Sequence, residues 1–114
     1  MKIVQDNIPL EELDKKSKKM FGGLVKAVVD IEKSIMAVDA QLHADLEELL
    51  LENNSQQKNL WGINLYPDSI NTENGIEFDS MINLRPGQNN RSRYVEDPAI
   101  REKIALIVNQ LVQA

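Results

Sequence analysis

The 114 residues contain no cysteine, which excludes disulfides, thiolate zinc centres and cysteine nucleophiles. Histidine occurs once, at His43. One Trp, two Tyr and two Phe make up the aromatics. They are too few for a base-stacking platform, and the interleaved basic and aromatic pattern of an RNA-binding sheet is missing. No Gly-rich phosphate fingerprint and no H-E-x-x-H spacing occurs. Apolar runs fall far short of the roughly 20 residues that span a bilayer, so no membrane role is expected. The opening MKIVQDNIPLEEL lacks the apolar core of a secretory signal, and a cytoplasmic location is expected. Basic charge is short as well. The 18 acids outnumber 13 bases for a net charge of −5, which argues against sequence-independent nucleic-acid binding.

What is present fits one domain over residues 1–114 with one core. KIVQ at the start is β-prone and reads as an edge strand. PLEELDKKSKKMFGG reads as a helix, with Pro9 in its first turn, Glu11 and Glu12 at the positive dipole end and four lysines toward the other. Leu10, Leu13, Met20 and Phe21 form its stripe, and Gly22–Gly23 stop it. LVKAVVDIEKSIMAV, rich in Val and Ile, reads as one strand. Asp39–Ala40 then serves as a hairpin turn into QLHADLEELLLEN.

That last segment carries two patterns at once. Leu42, Leu46, Leu49 and Leu50 follow helical spacing, while Leu42, Ala44 and Leu46 alternate with His43, Asp45 and Glu47 as in a strand. The preceding turn and the following polar ENNSQQKN favour the strand. LWGINLYP and GIEFDSMINLRP read as an antiparallel hairpin across the turn-forming DSINTENG. GQNNRSRYVE is a polar loop. DPAIREKIALIVNQLVQ closes the chain as a helix capped by Asp97 with Pro98 at its first position, its stripe being Ile100, Ile104, Ile107, Val108 and Leu111. The expected fold is α+β: a mainly antiparallel sheet of about four strands with the N-terminal and C-terminal helices on one face.

The segments LWGINLYP, IEFDSMINLRP, NRSRYVEDPAIREKI and KAVVDIEKSIMAV…LHADLEELLLE resemble an uncharacterised family of short bacterial and archaeal proteins, a domain of unknown function. The likeness covers nearly the whole chain and is loosest at the N-terminal helix. It implies a small cytoplasmic protein and brings no activity, cofactor or catalytic residue with it.

Two places could carry chemistry. In the strand reading, a hairpin across Asp39–Ala40 sets Met36 opposite His43, Ser34 opposite Asp45 and Glu32 opposite Glu47. Asp30, Glu32, His43, Asp45 and Glu47 then share one polar sheet face, with Ile31, Ile35, Ala37, Leu42, Ala44 and Leu46 on the core side. Such a face suits a histidine base oriented by a carboxylate, in a small enzyme or metal-binding protein. The plainer reading is a solvated face. In a helix, Glu47 falls at i+4 from His43 and the cluster dissolves. The second place is the loop after INLRP. Arg85, Asn90, Arg91 and Arg93, with Gln88, Asn89 and Ser92, offer many donors, and an arginine fork suits carboxylate or phosphate. Those arginines would otherwise neutralise the acidic face. Asp79 and Asn83 could extend either site. The leading expectation is a binding or interaction module whose arginine loop takes an acidic protein partner or small anion. No cofactor is expected, and a homodimer is possible.

Overall fold

The computed structural model describes residues 1–20 and 22–114. Phe21, placed on the first helical stripe above, lies outside the described residues. Strand β1 (Lys2–Val4) is followed by the short β2 (Ile8–Pro9) and helix α1 (Leu10–Ser17). Strands β3 (Val25–Asp30) and β4 (Ile35–Val38), helix α2 (His43–Glu52), and strands β5 (Leu60–Leu65) and β6 (Ile76–Glu77) come next. Helix α3 (Pro98–Leu111) and β7 (Val112–Gln113) close the chain. The fold is α+β: among the described residues, a five-stranded antiparallel sheet in the order β1-β4-β3-β5-β6, with three α-helices. β2 and β7 pair in parallel as a small separate ribbon.

α1 begins one residue later than read, with Pro9 as its N-cap at the end of β2 and Glu11 and Glu12 in its first turn, and three i,i+4 pairs (Glu11–Lys15, Glu12–Lys16, Asp14–Lys18) brace its surface. It stops at Ser17, short of the glycines, where the Ser17 hydroxyl donates to the Asp14 carbonyl at 2.7 Å. A serine hydroxyl that bonds a carbonyl of its own helix offers the chain an alternative to further helical turns. α3 has the cap read from the sequence, Asp97 Oδ1 accepting from the Ala99 N–H at 2.9 Å with Pro98 behind it.

Three local expectations are corrected. LVKAVVDIEKSIMAV is two strands, paired from Ala27↔Val38 to Asp30↔Ile35. The hairpin therefore turns at 31–34 and not at Asp39–Ala40. Asp30 makes that turn by accepting from the N–H groups of Glu32 (2.9 Å) and Lys33 (3.0 Å), while Ser34 takes a left-handed φ of 57°. Second, residues 43–52 are helix. Leu46 and Leu50, one turn apart, pack on Val28, Ala37 and Leu60, so burial of the helical stripe prevails over the shorter alternation. Third, GIEFDSMINLRP stays in the sheet only over Ile76–Glu77. The Ser80 side chain accepts from the Ile82 N–H and diverts the chain into a 3-10 turn at Met81–Asn83.

The sheet is covered on both faces. Val25, Ala27, Val29, Met36, Val38, Trp61, Ile63 and Leu65 form the larger core with Leu13 of α1 and Ile104, Ile107, Val108 and Leu111 of α3. The terminal helices thus share one face, as expected, and α2 covers part of the other. Among the described residues no helix is long and apolar enough to cross a membrane.

Candidate functional site

The α2 side of the sheet changes character along its strands. Val28 stands opposite Gly62, but two residues further along Lys26 stands opposite Asn64, and Asn64 opposite Glu77. This polar row continues the face that α2 packs on. Asn64 is buried and donates to Glu77 Oε1 at 2.7 Å, and Tyr66 donates to the same oxygen at 3.3 Å. Among the described residues Asn64 Oδ1 has no hydrogen-bond partner.

Beyond β6 the edge of β5 is finished by side chains. Asn83 is fully buried. Its Oδ1 accepts from the Gly62 N–H at 2.8 Å and its Nδ2 donates to the Gly62 carbonyl at 2.9 Å. A carboxamide carries the same donor and acceptor as a peptide group, so it stands in for the missing strand. Glycine at 62 is required by the same contact: a Cβ there would lie 2.6 Å from Ser80 Cβ. Asn90, also buried, holds the following loop. Its Nδ2 donates to the carbonyls of Asn83 and Tyr94, both at 2.7 Å, and its Oδ1 accepts from the Glu96 N–H at 2.9 Å.

His43 is the first residue of α2 and is buried. Its Nε2 lies 2.8 Å from the Ile63 carbonyl. A carbonyl only accepts, so the proton sits on Nε2 and Nδ1 keeps its lone pair. Burial pushes the imidazole below its usual 6.5; Lys26 and Arg93 push the same way, while the Ile63 carbonyl and Asp79 pull back. The positive end of the α2 dipole adds to the downward push. The ring is therefore neutral at pH 7.

A cleft of about 200 Å³ opens beside this ring, lined by Lys26, Leu42, His43, Ala44, Ser80, Met81, Ile82 and Arg93. Its two charged walls are both cations. Arg93 Nε and Nη2 donate to the two Asp79 oxygens at 2.8 and 3.2 Å. Among the described residues Lys26 forms no ion pair. Strand β3, the start of α2, the 80–82 turn and the arginine loop thus meet at one concave surface.

The sequence candidates separate in three dimensions. Asp30 is buried, serving the hairpin turn and accepting from the Ser55 hydroxyl at 2.7 Å. Glu32 is exposed and accepts from Asn59. Asp45 is exposed beside Glu48 and Glu52 on a shallow patch. Glu47 is half-buried, its Oε2 without a hydrogen-bond partner among the described residues, and its charge reaches Arg85. The single polar sheet face of Asp30, Glu32, His43, Asp45 and Glu47 is corrected: the last three lie on a helix, and a backbone carbonyl orients His43. Among the described residues no three His, Asp or Glu side chains gather as metal ligands.

The arginine loop also divides. Arg85 stacks over Trp61, 4.7 Å from the ring centroid, and donates to the carbonyls of Ile82 (2.9 Å), Gln57 (2.8 Å) and Leu60. Burial lowers its pKa from the ordinary arginine value, and Glu47 pulls it back. It is occupied with the fold. Asn90 is the loop's anchor. Arg91 is exposed, its backbone N–H donating to Glu96 Oε2 at 3.0 Å. Residues 85–95 contain no acid, and the loop acquires acids from outside them, Asp79 for Arg93 and Glu96 for the Arg91 backbone. Of the loop's candidates only Arg93 reaches the cleft of His43. Lys26, Ser80 and Asn64 were not singled out from the sequence; Lys26 and Asn64, polar residues inside two apolar strands, were the available signal.

The chain belongs to the family described as Protein of unknown function (DUF5674), whose model matches residues 2–111. No curated protein and no solved structure matches it significantly.

Proposed function

We propose that this protein is a small single-domain binding module whose ligand is an anion held in the cleft beside His43. Arg93 keeps the role expected of the arginine loop, while Arg85, Asn90 and Arg91 leave it. The observation that carries the reading is the lining itself: Lys26 and Arg93, from different segments, are the charged groups of one concavity. Cationic walls around a partly desolvated hollow favour an anion more than the same charges spread in water. Ser80 adds a hydroxyl to the wall. A neutral His43 can accept a hydrogen bond there or take up a proton as the ligand arrives.

The test is a titration of the protein with acetate and inorganic phosphate at low salt, followed by amide NMR shifts. Saturable shifts are expected at Lys26, His43 and Arg93. Lys26→Met and Arg93→Ala each weaken binding by about tenfold, the size expected of a charged hydrogen-bond partner, and Arg91→Ala leaves it unchanged. Equal loss in all three variants would mean diffuse charge attraction, and the cleft would lose its role.

A further inference from the structure

The cleft's size, charge and walls narrow the ligand further, granted the anion reading above. We infer that the occupant is a small monocarboxylic acid with an apolar body, its carboxylate set between Lys26 and Arg93 and its body against Leu42 and Met81.

Three observations lead there. First, the volume of about 200 Å³ lies below the roughly 300–1,000 Å³ of pockets that take cofactors and drug-sized molecules. Nucleotides are too large.

Second, the charge is that of a monoanion's complement. Arg93 is already matched by Asp79 through two of its nitrogens, leaving Nη1. Glu77 lies outside the lining with an oxygen occupied by Asn64 and Tyr66. Lys26, without an ion pair among the described residues, is the one unbalanced cation of the lining. One ammonium, one remaining guanidinium nitrogen and one hydroxyl match the two oxygens of a carboxylate. A phosphate dianion would leave a charge and several acceptors unserved.

Third, the remaining walls are apolar and two of them stand in solvent. Leu42, just before α2, and Met81, in the 3-10 turn, are each 60% exposed, and both line this cleft. An isolated exposed leucine is ordinary. Two large apolar side chains from separate segments on one concavity, next to cations, describe a site for a ligand with two ends. Methionine's flexible thioether adapts to such a body.

The experiment is an amide NMR titration of the full chain with acetate, butyrate, hexanoate and inorganic phosphate, repeated on Leu42→Ser and Met81→Ser. Both positions are exposed, so both variants are expected to fold. The expected result is affinity rising by about tenfold or more from acetate to hexanoate, as apolar surface is withdrawn from water. Shifts should centre on Lys26, His43, Met81 and Arg93. Each serine variant should lose most of the hexanoate gain and keep acetate binding. Equal affinity for acetate and hexanoate, or tighter phosphate binding, would overturn this inference and leave the anion reading standing. A separate hollow of about 290 Å³ is lined by Leu10, Ile70, Ile76 and Val112 among others, and hexanoate shifts centred there would overturn it too. No saturable shift with any anion would remove both.

Discussion

On β5, Trp61, Ile63 and Leu65 turn toward α1 and α3, while Leu60, Gly62 and Asn64 belong to the side of α2 and the 79–83 segment. The first set is closed by two helices and is apolar apart from the indole N–H of Trp61. The second is apolar for half its length and then polar, finished by asparagines where another side would have a strand or helix. The same strands thus serve stability through one set of alternate residues and place a cleft through the other. A residue's part in this protein is decided by which side of the strand it leaves.

The largest test of that division is Ile104→Ala. Ile104 is fully buried between α3 and the sheet, and the truncation should cost about 2–5 kcal/mol. Denaturant unfolding would show the loss, while anion affinity, measured under folding conditions, should stay unchanged. A stability loss of similar size, but with a larger effect on the cleft, is expected of Asn83→Ala. The substitution strips the Asn83 partner from the Gly62 N–H and carbonyl, for about 1–3 kcal/mol per buried group left unsatisfied, and takes one of two donors from the Arg93 carbonyl, which keeps the Ser80 N–H. Because Arg93 and the 80–82 turn are hung from the same amide, anion affinity should fall with it. Equal effects of both variants on both readouts would erase the distinction between the faces.

The smallest effect is in pH. The folded-state pKa of His43 lies below the ordinary 6.5 because burial disfavours the cation. Its contribution to stability is therefore complete above about 6.5 and is lost as pH falls from there toward the folded value, since the unfolded chain binds the proton more readily. His43→Gln should flatten the acid side of the stability curve within that window. An unchanged slope would mean that His43 is not held neutral.

Much of the fold was legible because α1 and α3 carry their own signals. Asp97, Pro98 and the Ile104, Ile107, Val108 and Leu111 stripe define α3 without reference to anything else in the chain, and Trp61 to Leu65 are buried to the last residue as a central strand should be. Residues 41–52 were not legible in the same way. Both periodicities are present there, and only the presence of Val28, Ala37 and Leu60 on the opposing sheet selects the helical one. The 31–34 turn was hidden because no glycine or proline marks it; Asp30, folding its carboxylate onto the next N–H groups, is the sign that was available. Placing His43 by strand register then carried Asp45 and Glu47 to the wrong surface. The meeting of His43 with Arg93 depends on contacts 50 residues apart along the chain, which no local pattern encodes.

The most direct measurement is the side-chain nitrogen spectrum of His43 across pH, free and with hexanoate. A neutral ring protonated at Nε2 is expected, titrating below 6.5 when free, with both ring nitrogens shifted and the titration moved upward once a carboxylate sits beside it. A ring protonated at Nδ1, or one whose spectrum and titration ignore saturating hexanoate, would contradict it.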